Sequence, residues 1–299
     1  MNRRQFISRS ATALALSGLA GHQAFASKFS APNKGRIGLQ LYSLMRELPK
    51  DFLGTLKKVS EMGYSQVETY GFTTDKFLDY TMKDLRKIVE DMGMTITSTH
   101  TSSRILPEDI NAPEWDFWKK RAEYILSGGG KYAIESSFPA GRNDEITTDF
   151  LKRITDHFNR AGEVCKKEGA KFGYHNHESE FVKVGDEVIF EFLIKNTDPA
   201  LVFFQLDMGH AVNAGGDCYH LVSTYPNRIP LWHATDFDAE NRRGTLLGQG
   251  SVPYPALFEL AESSGLEILT VEQETRNDPL TACKSDFDYI KQYKWTGVL

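Results

Sequence analysis

The chain has 299 residues, with 35 Lys and Arg against 40 Asp and Glu and a formal net charge of −5. An acidic chain without basic runs argues against nucleic acid and anionic membranes as partners. Cys165, Cys218 and Cys283 lie far apart with no C-x-x-C pair, so they read as packing residues, not as a disulfide framework.

In chain order, Asn2-Arg3-Arg4-Gln5-Phe6-Ile7 reads as the twin-arginine entry to an export signal. Ala11–Ala20 is a small apolar core, and Ala24-Phe25-Ala26 is an A-x-A cleavage site before Ser27. An amphipathic helix suits this segment less well, because it holds three arginines and no acids. Cleavage removes those arginines, leaves 273 residues and takes the net charge to −8. The apolar stretch is too short to anchor the mature chain in a membrane and carries no Cys for a lipid. The expectation is a periplasmic protein exported already folded, with residues 27–35 as a short linker.

No Pro/Gly/Ser linker interrupts residues 36–299, which predicts a single domain. One joint recurs: an amphipathic helix, a glycine, then a β-rich run, around Gly63, Gly93, Gly130, Gly169 and Gly265. Glycine just past a helix takes the left-handed conformation that ends it. Eight strands are predicted: Ile37–Ser43, Gln66–Tyr70, Thr95–His100, Tyr132–Ser136, Lys171–His177, Val202–Asp207, Pro230–Ala234 and Ile268–Glu272. Helices are predicted at 51–62, 81–92, 113–127, 148–168, 186–196, 217–225, 254–264 and 278–292. Eight βα units in this length make an α/β (β/α)8 TIM barrel, with a doubly wound sheet as the alternative.

A TIM barrel gathers its catalytic groups where the strands end. Those positions hold Gln40 or Tyr42, Glu68, His100, Glu135, His175 with His177, Asp207, His233 and Glu272. Asp207, His233 and Glu272 each end an apolar run, and His, Asp and Glu together suit a borderline divalent metal. In Tyr174–Phe181 (YHNHESEF), His175 and His177 share a face by strand alternation. One completes the metal site and the other acts as acid or base, and Glu178 and Glu180 are candidate bases or solvated loop charges. His210 and Asp236 each follow a ligand by three and read as loop residues contacting substrate, along with His100, Glu68 and Tyr42. Trp115 and Trp118 read as helix packing before sugar stacking. The long loop after strand seven, with Arg242 and Arg243, resembles a phosphate site, but export favours an uncharged sugar.

On LDMGH (Asp207, His210), HATD (His233, Asp236), VEQE (Glu272) and LGQG (Gly248–Gly250), the chain resembles the xylose isomerase-like TIM barrels over about residues 36–295. That family includes sugar phosphate isomerases and epimerases, ketose 3-epimerases, inosose dehydratases and endonuclease IV. The resemblance implies one divalent ion, manganese, cobalt or zinc, held by His175, Asp207, His233 and Glu272. Its sugar epimerases carry a glutamate at the end of strand five that pairs with the strand-eight glutamate. Here His175 stands in that position, as in the inosose dehydratase branch and in exported relatives acting on 3-keto-glycosides.

The expected function is therefore metal-dependent enolisation of a keto sugar, with His175, His177, Glu180 and Glu272 around the reacting carbon. Return of the proton gives an isomerase or epimerase; loss of a neighbouring oxygen gives a lyase or dehydratase. An endonuclease IV-like phosphodiesterase would need more ligands and a basic rim, and a non-catalytic sugar-binding barrel would lack metal geometry. The expected partner is a small carbohydrate, with a homo-oligomer left open.

Overall fold

Glycine punctuation and period-two alternation build a closed ring of eight parallel strands wrapped in helices. The computed structural model describes residues 36–71, 75–103, 112–140, 144–238, 240–274 and 277–295. The export signal and the 27–35 linker lie outside the described residues. The barrel strands are β1 Ile37–Gln40, β2 Gln66–Tyr70, β3 Thr95–Thr101, β4 Tyr132–Glu135, β5 Lys171–His175, β6 Val202–Asp207, β7 Leu231–Ala234 and β8 Ile268–Val271. Each pairs with its neighbours in sequence, and β1 closes on β8. The helices are α1 Phe52–Met62, α2 Met82–Asp91, α3 Asp116–Ser127, α4 Thr148–Glu168, α5 Ile189–Asn196, α6 Met208–Asn213, α7 Cys218–Thr224, α8 Tyr254–Glu259 and α9 Pro279–Ile290. None of the described helices is long and apolar enough to cross a membrane.

The αβ joints work as the glycines imply. Gly169 ends α4 at φ 95° and donates its N–H to the last-turn carbonyls, a conformation that a side chain would strain. At the third joint the left-handed residue is Gly129 (φ 81°), one before the expected Gly130.

Alternation sorts the strand residues into two cores. Leu39, Val67, Phe172, Tyr174, Phe204, Trp232 and Leu269 pack outward against the helices, α4 answering with Leu151, Ile154, Phe158 and Cys165. Inside the barrel, Tyr132, Ile134, Leu231 and Ile268 form an apolar floor with Phe203. Lys171 Nζ closes it below, donating to the Tyr132 hydroxyl (2.8 Å) and to Glu267 Oε1 (3.1 Å). Towards the strand ends the interior turns polar.

Several boundaries differ from expectation. β1 stops at Gln40 and Leu41–Leu44 winds into a 3-10 turn, which takes Tyr42 off the strand. β5 stops at His175, so His177 lies beyond it. Asp207 caps the unexpected helix α6, and His210 belongs to that helix, not to a loop. The stretch after β7 is partly ordered as a hairpin pairing Phe237–Asp238 with Arg243–Gly244. Trp118 is buried edge-on to Phe172 (4.8 Å), which makes it core.

Candidate metal centre and active site

Four strand ends bring one donor atom each to a single point at the mouth of the barrel. His175 closes β5, Asp207 closes β6, His233 stands in β7 and Glu272 follows β8. Donor atoms from these four lie within 4.8 Å of one another. His233 Nδ1 is 3.1 Å from Glu272 Oε2 and 3.7 Å from Asp207 Oδ2. A tetrahedral ion with bonds of about 2.0–2.2 Å spaces its donors by roughly 3.5 Å, so one ion fits. Asp207 is pre-set for it. Its Oδ1 accepts from the His210 N–H (2.8 Å) and the Thr235 hydroxyl (2.6 Å), which leaves Oδ2 free. Asp207 Oδ2 and His233 Nδ1 are both buried with no hydrogen bond, a costly arrangement unless something lies between them.

Beneath this layer lies a second one, centred on the fully buried Glu68. Its Oε1 accepts from His233 Nε2 (2.6 Å) and Gln40 Nε2 (2.8 Å), with His100 Nε2 in ion-pair contact at 3.1 Å. Its Oε2 accepts from the Ser98 hydroxyl (2.5 Å) and Gln205 Nε2 (2.9 Å). A carboxylate on the far nitrogen of a ligating histidine fixes the ring and raises its basicity. A register shift between β2 and β3, in which Thr97 of β3 is the extra residue, sets this up by bringing Glu68 opposite Ser98. His100, His175 and His233 also lie close enough together to share an ion. The Nε2 atoms of His100 and His233 are already hydrogen-bonded in this network, so the trio reads as second-layer support.

Above the donors, His210 ion-pairs with Glu178 through Nδ1 and with Glu274 through Nε2, each at 2.9 Å. The His177 ring lies 4.9 Å from the rings of both His175 and His210. Beside Glu272 a cleft of about 180 Å³ opens between the β1 and β8 loops, lined by Tyr42, Arg46, Gln273 and Glu274.

The family model for xylose isomerase-like TIM barrels matches residues 56–293. The chain belongs to that family. Inosose dehydratase from Geobacillus kaustophilus is 26% identical over 268 residues, 79% of this chain and 85% of the relative. A sugar phosphate isomerase/epimerase structure from Parabacteroides distasonis superposes with a TM-score of 0.77 at 30% identity, covering 88% of this chain and 97% of that one. The zinc-binding IolI protein shares the fold, with a TM-score of 0.68 at 14% identity over 86% of this chain and 99% of its own. At family level, this xylose isomerase-like barrel is a carbohydrate-modifying enzyme of the isomerase, epimerase or dehydratase kind.

Charge is divided sharply within its site. Burial alone would raise Asp207, but His210, His233 and Thr235 outweigh it and bring it down to about 2. Burial opposes charge on Glu68 too, yet His100 and His233 hold it well below the usual carboxylate range. Burial is likewise overcome at His233, which Glu68, Asp207 and Glu272 raise well above its ordinary value. His210 reaches about 11 against burial, through Asp207, Glu274 and Glu178. His175 goes the other way: burial and the neighbouring histidines hold it neutral.

Not every expected site residue reaches the centre. Glu68 sits under His233, where a substrate cannot touch it. Glu180 turns behind β5 to accept from the Tyr174 and Ser179 hydroxyls and the His177 N–H, so it anchors the loop and is not a base. Asp236 takes four backbone N–H groups, from Phe237, Gly248, Gly250 and Val252, which leaves no oxygen for a substrate. Glu135 likewise faces the serine loops, accepting from Ser103 and Ser137, with burial pushing it up to about 7. Tyr42 stays at the mouth, edge-on to Tyr70 at 5.2 Å. Gln205 was not expected. A polar residue two before Asp207 in the run VFFQLD was its one sequence signal.

Proposed function

We propose that this enzyme enolises a keto sugar at a divalent metal centre and returns the proton to give an isomer or epimer. The convergence of His175, Asp207, His233 and Glu272, with Asp207 Oδ2 buried and making no hydrogen bond, carries the reading. An ion held by these four, manganese, cobalt or zinc, supplies Lewis-acid polarisation of a substrate oxygen, which acidifies the carbon beside the carbonyl. The rest falls to the chain. His177, next to His175 at the mouth, takes and returns the proton at the reacting carbon. His210 braces the mouth through Glu178 and Glu274, and Tyr42 borders the cleft where the rest of the sugar lies.

A second reading is elimination, in which the enolised sugar expels a β-oxygen. The inosose dehydratase relatives favour it, as does the histidine at the end of β5, since elimination does not need carboxylates on both faces of one carbon. The twin-arginine motif and the A-x-A site support export to the periplasm, to be checked by finding Ser27 at the amino terminus of the secreted protein.

Proton NMR in deuterium oxide, on metal-loaded protein with a panel of keto sugars and keto-glycosides, tests the main reading. Deuterium beside the carbonyl of an intact sugar supports isomerisation. An unsaturated sugar or a released glycosidic group moves the assignment to elimination. Exchange that survives complete chelation of divalent ions would sink the metal-centred mechanism.

A further inference from the structure

Gln205 has no assigned role, yet it touches three of the groups that decide whether the centre works. It stands opposite His175 in the β5–β6 register and points into the barrel, two residues before Asp207. Its Nε2 lies 2.9 Å from Glu68 Oε2. An ionised carboxylate only accepts, so the amide must turn its NH2 to Glu68 and its oxygen to the imidazoles. That oxygen lies 2.9 Å from His175 Nδ1 and 2.7 Å from His100 Nε2. A carbonyl oxygen also only accepts, so both of those ring nitrogens must carry hydrogen.

We infer that Gln205 is a positioning residue that fixes His175 as the Nδ1–H tautomer and so leaves the Nε2 lone pair for the ion. The inference rests on the metal-centre reading above. Glutamine fits the task because a glutamate would face Glu68 with a second carboxylate at hydrogen-bonding distance. An apolar side chain would leave the His175 Nδ1–H without its acceptor. The need for a lock comes from the histidine itself: a carboxylate ligand at the end of β5 has two acceptor oxygens and no tautomer to choose.

Long-range proton–nitrogen spectra of histidine-labelled, metal-free protein should show His175 protonated on Nδ1. Gln205→Met should mix or invert that pattern and weaken zinc binding, read by competition with a chelating dye, by about 10–100-fold. In a His175→Glu background the same Gln205→Met change should alter zinc affinity less than about twofold, because the lock then has nothing to hold. Equal losses in both backgrounds, or a wild-type His175 protonated on Nε2, would overturn the inference. Should Gln205→Met fail to fold, the wild-type spectrum decides alone. A wild-type protein that bound no zinc would remove the metal centre, and that spectrum would still decide the tautomer.

Discussion

His233 uses the two sides of its ring for different purposes: Nε2 is tied to Glu68, and Nδ1 faces Asp207 and Glu272. The hydrogen that the metal-free site holds on Nδ1 is what an incoming cation must displace. With His233 raised well above its ordinary value, proton and metal compete, and affinity falls as pH is lowered. Calorimetry in buffers of different ionisation heat should show net proton release on binding; release of none would contradict this account. Glu68→Gln keeps the shape but removes the charge under His233, and should weaken metal binding by about 10–100-fold with the fold intact. The convergence of these donors was readable because each stands where an apolar run stops abruptly. Glu180 and Asp236 misled for the opposite reason. Past a strand end, spacing does not say whether a carboxylate turns to the cavity or back to the loop, and here the Tyr174 hydroxyl and four backbone N–H groups captured them.

At the scale of elements, two carboxylates organise the loops around the mouth. Asp236 gathers the N–H groups of Gly248, Gly250 and Val252, and Asp286 takes the Leu247 N–H and the Gln273 amide. Asp236→Ala should therefore lower stability by about 2–4 kcal/mol in denaturant unfolding, while metal affinity changes little. A large loss of affinity in a stably folded variant would restore Asp236 to the site. Helix α4 carries a different tension. His157 is buried against Trp115 (5.1 Å) with neither ring nitrogen hydrogen-bonded, and burial lowers it to about 4. Its folded value lies below its unfolded one of about 6.5, so its contribution is full above pH 6.5 and is lost as pH falls towards 4. His157→Phe should reduce the pH dependence by on the order of 3 kcal/mol across that window, seen as a smaller gap between the unfolding free energies at pH 7 and pH 4.5 than in wild type. The glycine joints made strands and long helices legible. Helix α6 escaped because six residues containing a glycine leave no periodicity to read.

Over the whole molecule, the ion and the fold should support each other, since the four donors come from four consecutive strands that only the closed barrel unites. At a hundredfold excess over Kd the metal should contribute about 2.7 kcal/mol, or about 5–10 °C in Tm, and chelation should reverse it. An unchanged melting curve would mean that the donors are not joined by an ion. The barrel has a further property. Tyr132, Ile134, Leu231, Ile268 and Phe203 plug its lower end above the Lys171–Glu267 pair. The reacting layer is thus the bottom of a blind well, and bulk water reaches it from the substrate's own side. A hydron lifted from the sugar while the sugar still fills the mouth exchanges slowly with solvent. Internal return should then compete with washout, and a substrate labelled at the reacting carbon should keep part of its label in the product.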